Sequence, residues 1–191
     1  MNYSNILQSD KSIPSPVVNI ALILLASWII GVSGQLSIAL PFSPVPITGQ
    51  TIIVLLIGAF LGKNRGAGAV GLFLAQGAAG LPVFAGGKSG LAVLVGPTGG
   101  YLFGFLAAAY IVGCLTELRY ERSILYTAIS LLVGNAIIYT FGLIWLVRFV
   151  GESQVLSLGL YPFILGDAIK IILGLIGIGG SKMIQGLANH Q

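Results

Sequence analysis

Charge is what this chain has least of. Only 7% of its 191 residues are Asp, Glu, Lys or Arg, where a soluble domain carries about 25%. It has one cysteine, Cys114, and one histidine, His190. A lone cysteine excludes an internal disulfide, and so few Cys and His leave no metal-ligand set. No Ser-His-Asp or Cys-His arrangement can be assembled, so no catalytic residue is assigned. The net charge of +4 comes from basic residues scattered singly, which is no footprint for nucleic acid. Gly86-Gly87-Lys88-Ser89 matches the end of a phosphate-binding loop, but Pro82 stands where that loop needs its first glycine. No ATP-binding motif is present.

Apolar sequence fills the space that charge leaves. Hydrophobic residues make up 56% of the chain, and there are 28 glycines, a composition that suits close helix packing in lipid. The length predicts one domain. The expectation is an all-α integral membrane protein. Residues 1–16 form a polar N-terminal segment, 17–184 a membrane domain of six helices, and 185–191 a tail. The spans are Val17–Gly34, Thr51–Gly62, Gly66–Leu81, Pro97–Leu118, Ser123–Val147 and Pro162–Ile184. The second is only about 18 Å long as a helix, so it must tilt, dip in and back, or borrow residues from the preceding loop. Irregular, proline- and glycine-bearing stretches at 35–50, 82–97 and 149–161 separate the spans. Ala67, Gly71, Ala75 and Ala79 recur every four residues, as do Gly100, Gly104 and Ala108; both rows predict close helix contact.

Lys11, Lys63, Arg65, Arg119, Arg122 and Lys182 fall on one side of this topology, and only Lys88 and Arg148 on the other. The asymmetry puts both termini in the cytoplasm. All three irregular stretches then lie outside. Asp167 sits within about two turns of the outer end of the last span.

That last span carries the chemistry. In YPFILGDAIK, residues 161–170, Asp167 and Lys170 are three apart on one helical face. Each costs roughly 2.5–3.5 kcal/mol alone near the centre of a span. Such residues are kept where they pair, line a wet cavity or hold a polar ligand. Two readings stand side by side: an ion pair that locks helices, or the floor of a small-molecule site. Asn135 and Tyr139 share a face of the fifth span and offer further donors and acceptors. Gln50 ends the first outer loop. Pro97-Thr98-Gly99-Gly100 opens a span whose first N–H groups either favour an anion or form a plain helix cap.

Five pieces in order along the chain carry a family resemblance: VPITGQT at 45–51, GLPVFAGG at 80–87, GPTGGYLFGF at 96–105, GN at 134–135 with IYTFGLIWL at 138–146, and PFILGDAIK at 162–170. Together they resemble the biotin-specific substrate-binding (S) component of energy-coupling factor (ECF) transporters, the BioY family. The resemblance implies the six-helix S-component fold and high-affinity capture of biotin from outside. It implies a multi-pass protein of the cell membrane, with a bacterial host expected. The implied partners are biotin, membrane lipid, a transmembrane coupling protein and two ATPase subunits. No cofactor is implied for this chain, because ATP is used by the partner subunits.

The residues expected to bind substrate are Asp167, Lys170, Asn135, Tyr139, Gln50, Thr98, Gly99, Gly100 and Tyr101. Asp167 would accept a ureido N–H of biotin. Lys170 would donate either to the ureido carbonyl or to the carboxylate. A small-residue stripe on the first helix would dock the coupling protein, and Ser27-xxx-Gly31 is the nearest pair. An S component for another small vitamin and a small lipid-modifying enzyme are the alternatives.

Overall fold

The computed structural model describes residues 16–118 and 124–172. Several expectations lie outside these residues: most of the polar N-terminal segment, the charged turn from Arg119 to Arg122, Lys11 and Lys182, the last span beyond 172, and the tail.

The described chain is helical throughout its membrane part. Helix α1 is Pro16–Gln35. A short hairpin follows, with β1 (Ser37–Ile38) antiparallel to β2 (Ile47–Thr48). Helix α2 is Gln50–Ala78. A 3-10 turn at Ala85–Gly87 and a short helix α3, Leu91–Val95, occupy the next irregular stretch. Helix α4 is Gly99–Leu118, α5 is Ile124–Val150 and α6 is Val155–Gly159. Helix α7 covers residues 161–172 and reaches the edge of the described chain. Among the described residues, five helical stretches are long and apolar enough to cross a bilayer, the last running Val155–Ile172.

Helix α2 is two spans rather than one. At Gly62 the backbone has φ 78° and ψ 176°, a conformation essentially reserved for glycine. A Cβ built on Gly66 would lie 2.9 Å from the Cα of Gly58. Eight residues apart on a straight helix means about 12 Å, so the chain folds back on itself at Gly62. That makes six passes. Lys63-Asn64-Arg65, expected as a link, are instead helical. Glu117 replaces a helix cap there: its Oε1 accepts the Lys63 backbone N–H at 2.9 Å, and its Oε2 lies 3.4 Å from the Lys63 ammonium. A carboxylate at a helix start satisfies orphan donors and suits the helix dipole.

Helix α4 lies between α2 and α5. A Cβ on Gly58 would come 2.6 Å from the Ala109 carbonyl, and one on Gly134 would come 2.5 Å from both Leu55 and Val112. Gly104 rests on Ile138, and Gly100 on Trp145 and Phe141. These are close backbone approaches that only small residues permit, the usual adhesive of helices in lipid.

Two expected stripes are placed differently. On the second half of α2 the buried face is Gly66, Ala69, Val70, Phe73, Leu74 and Gly77, while Ala75 and Ala79 are exposed. The large side chains Phe73 and Phe84 turned that face inward, because they needed a partner each other could supply: their rings meet edge to face at 5.5 Å. Ser27 and Gly31 also point inward. Ser27 is fully buried and donates to the Leu24 carbonyl, and Gly31 faces Val83. The pair is therefore not a lipid-facing docking stripe.

Candidate functional site

The first half of α2, Gln50 to Leu61, is about 18 Å long, against a hydrocarbon core of about 30 Å. The β1–β2 hairpin and the stretch from Phe84 to Thr98 cover the shortfall, and a cavity remains beneath them. Its volume is about 70 Å³. Phe84, Leu102, Phe105, Ile138 and Phe163 form its apolar wall.

Its polar groups converge at one place. Asp167, 4% exposed, accepts the Tyr139 hydroxyl on Oδ2. Its Oδ1 accepts the Lys170 ammonium at 3.0 Å and the Thr51 hydroxyl at 3.5 Å. Lys170 also donates to the Thr48 carbonyl at 2.7 Å and to Thr51 Oγ1 at 3.3 Å. An ammonium has three protons, so all three are engaged. The pair thus ties α7 to the β2–α2 junction and to α5. Helix lock and pocket floor are the same residues.

The remaining sequence candidates fall into two groups. Gln50, Thr98 and Tyr101 line the cavity with Asp167, Lys170 and Tyr139. Gln50 is nearly fully buried and donates its amide to the Ile30 carbonyl at 3.3 Å, bracing α2 against α1. The Tyr101 hydroxyl donates to the Gly159 carbonyl at 2.8 Å, and its ring meets Tyr139 edge to face at 6.4 Å. Tyr101 therefore offers the cavity a ring rather than a free hydroxyl.

Asn135, Gly99 and Gly100 are not on the wall. Asn135 lies one turn from Tyr139 on α5, and its buried Oδ1 has no hydrogen-bond partner among the described residues. Gly99 and Gly100 are consumed by packing against Leu94 and Trp145. Their lack of side chains serves the turn from α3 into α4 at Gly99 and the α4–α5 contact at Gly100.

Sequence reasoning missed Thr51, Lys88 and Phe163 as lining residues. Thr51 follows Gln50 by one residue and faces the same network, a signal that the loop end alone did not give. The Gly86-Gly87-Lys88-Ser89 piece is no phosphate-binding loop: Lys88 leaves the 3-10 turn in an extended conformation instead of opening a helix, and the helix that follows, α3, has only five residues.

The cavity opens at one end of the bundle. Helix α4 starts at it, with Thr98 and Tyr101, and ends beside the Lys63–Glu117 pair. The separation is about 27–30 Å by helix rise, the thickness of the hydrocarbon core. Fold and site together define a multi-pass membrane protein with a cavity whose polar groups converge on Asp167 near one end of the helix bundle.

The comparisons with known proteins give the family. The model of the BioY family matches residues 7–184, and this chain belongs to that family. It is 40% identical to the Biotin transporter BioY of Thermotoga maritima, covering 80% of this chain and 85% of the relative. It is 37% identical to the Biotin transporter BioY2 of Lactococcus lactis, covering 90% and 92%. A crystal structure of the S-component for biotin from an ECF-type ABC transporter superposes with a TM-score of 0.78, at 27% identity, over 96% of this chain and 95% of the other. The relatives carry the names of transporters and not of enzymes.

Proposed function

We propose that this chain is the biotin-binding S component of an ECF-type uptake system. The observation that carries the reading is the cavity itself: a carboxylate, a phenol and an ammonium grouped at one spot of a mainly apolar chamber. Biotin has the same division. Its ureido ring presents two N–H donors and a carbonyl, while its thioether ring and methylene chain are apolar. Asp167 would accept a ureido N–H, and Thr51 and Tyr139 are close enough to this carboxylate to re-form their bonds around the ring. The apolar rings would pack on Phe84, Phe105 and Phe163. A site built to hydrogen-bond a ring rejects analogues that lack it, because its buried polar groups would be left unpaired.

The orientation from the basic residues puts the cavity mouth outside and the Lys63–Arg65 end in the cytoplasm. Biotin would enter from the exterior face of a cell membrane, in a bacterial host. Delivery inward would need a transmembrane coupling protein and two ATPase subunits, which would bind the ATP. Membrane lipid would cover the exposed apolar helix faces.

Calorimetry with biotin on the purified protein and on Lys170→Ala tests the reading. Tight binding by the wild type, weakened in the variant, is expected. No binding by the wild type at micromolar biotin would refute the substrate, and binding of another vitamin in its place would keep the class and change the ligand.

A further inference from the structure

Tyr101 turns its hydroxyl away from the cavity, and its ring stands beside the phenol that reaches Asp167. It lies near the start of α4 and is 7% exposed. Its hydroxyl donates to the Gly159 carbonyl at the end of α6 at 2.8 Å. Two glycines make the slot for it. A Cβ on Gly142 would collide with the Tyr101 ring, and one on Gly159 would lie 2.6 Å from its hydroxyl oxygen. Gly142 and Tyr139 are three apart on α5 and share a face. Tyr101 is thus wedged between α5 and α6, bonded at its tip.

Tyr139 is held less completely. Its hydroxyl donates to Asp167 Oδ2, the one hydrogen bond its side chain makes among the described residues. A bond at the tip does not fix a phenol, whose ring turns about two side-chain torsions. The ring of Tyr101 supplies the missing constraint. The two rings meet edge to face, with centroids 6.4 Å apart and planes at 86°, the geometry that aromatic pairs prefer. At its other end Tyr101 holds Gly159, which leads into α7, the helix of Asp167. One side chain therefore braces both partners of the Tyr139–Asp167 bond. With Tyr139 on Oδ2, Oδ1 is left to Lys170 and Thr51.

We infer that Tyr101 is a positioning residue for the polar floor: it aims Tyr139 at Asp167 and acts on the ligand through that pair. The inference rests on the biotin reading and deepens it. The ureido ring is read by the Asp167 network, and Tyr101 keeps that network in shape for reading it.

Calorimetry with biotin on wild type, Tyr101→Leu, Tyr139→Phe and the double variant tests this as a cycle. Tyr101→Leu should weaken binding about tenfold, as much as removal of the Tyr139 hydroxyl. In the Tyr139→Phe background the same change should cost less than about twofold, because no hydroxyl is left to aim. Tyr101→Phe, which keeps the ring, should recover most of the loss. Gly142→Ala displaces the ring from the side of α5 and should show the same dependence on background; it keeps both tyrosines should Tyr101→Leu fail to fold. A residue that only supports the fold would lower affinity by the same factor in both backgrounds. That result, undiminished binding in Tyr101→Leu, or equal losses in Tyr101→Leu and Tyr101→Phe overturns the inference and leaves biotin as the substrate. Wild-type protein that binds no biotin overturns the biotin reading, and this inference with it.

Discussion

Replacing Asp167 by Asn probes lock and pocket at once. The carboxylate is almost fully buried and accepts from Tyr139, Lys170 and Thr51. Asparagine keeps the shape and loses the charge, so the Lys170 ammonium loses its counter-ion inside the membrane. Breaking a fully buried pair from one side costs about 3–5 kcal/mol. Lys170 keeps a 21% exposed side chain, facing a cavity, and still holds the Thr48 carbonyl. A loss of about 2–3 kcal/mol is the better figure. For a protein of this size that is a fall of roughly 5–10 °C in Tm. Adding Lys170→Met removes the stranded charge and should return most of the stability, to within about 1 kcal/mol of wild type.

Biotin affinity should behave otherwise. It should fall roughly 10- to 100-fold in Asp167→Asn and stay low in the double variant. Thermal unfolding of the detergent-purified proteins without ligand gives the first quantity, and calorimetry the second. A single variant as stable as wild type would refute the idea that the pair is closed and buried. A double variant less stable than the single would do the same. Recovered affinity in the double variant would show that the network is structural only.

Other consequences are more local. Tyr139→Phe keeps the ring contact with Tyr101 and removes one donor to Asp167; binding should weaken about tenfold with little change in Tm, and a large Tm loss with unchanged binding would argue for a structural hydroxyl. Gly62→Ala places a side chain at φ 78° facing Glu117, so stability should drop by about 1–3 kcal/mol, seen as a lower Tm; an unchanged Tm would show that the turn adapts. Gly100→Leu puts bulk where even a Cβ would meet the Phe141 carbonyl at 2.5 Å; the variant should express poorly or aggregate on size-exclusion chromatography, and a monodisperse, fully active variant would place this face in lipid.

Some features were legible because single residues impose them. Apolar runs of bilayer length can only be spans, since backbone in lipid must satisfy its own hydrogen bonds. A lone Asp and Lys within such a run must meet each other or a ligand, and the three-residue spacing put Asp167 and Lys170 in reach of one another. Motifs from Val45 to Lys170 pointed to the family by resemblance, as sequence pieces in family order.

Other features depend on which surfaces meet, and period alone does not decide that. Ala67, Gly71, Ala75 and Ala79 form as regular a row as the buried Gly66, Ala69, Phe73 and Gly77; the partner for Phe73 chose between them. Gly99 and Gly100 have the same identity whether they bare a helix start to a ligand or admit Trp145, and only packing showed the second. Tyr101 and Gln50 line the cavity but spend their polar groups on Gly159 and Ile30. Thr51 and Lys88 are unremarkable in the sequence, being a helix-start threonine and a loop lysine. The tertiary structure brought one to Asp167, more than a hundred residues away in the chain, and placed the other on the same wall. The sequence by itself determined the membrane topology and the intramembrane pair, because both follow from the cost of polarity in lipid. The fold decided which polar groups face the ligand, because that depends on which donors neighbouring helices have already used.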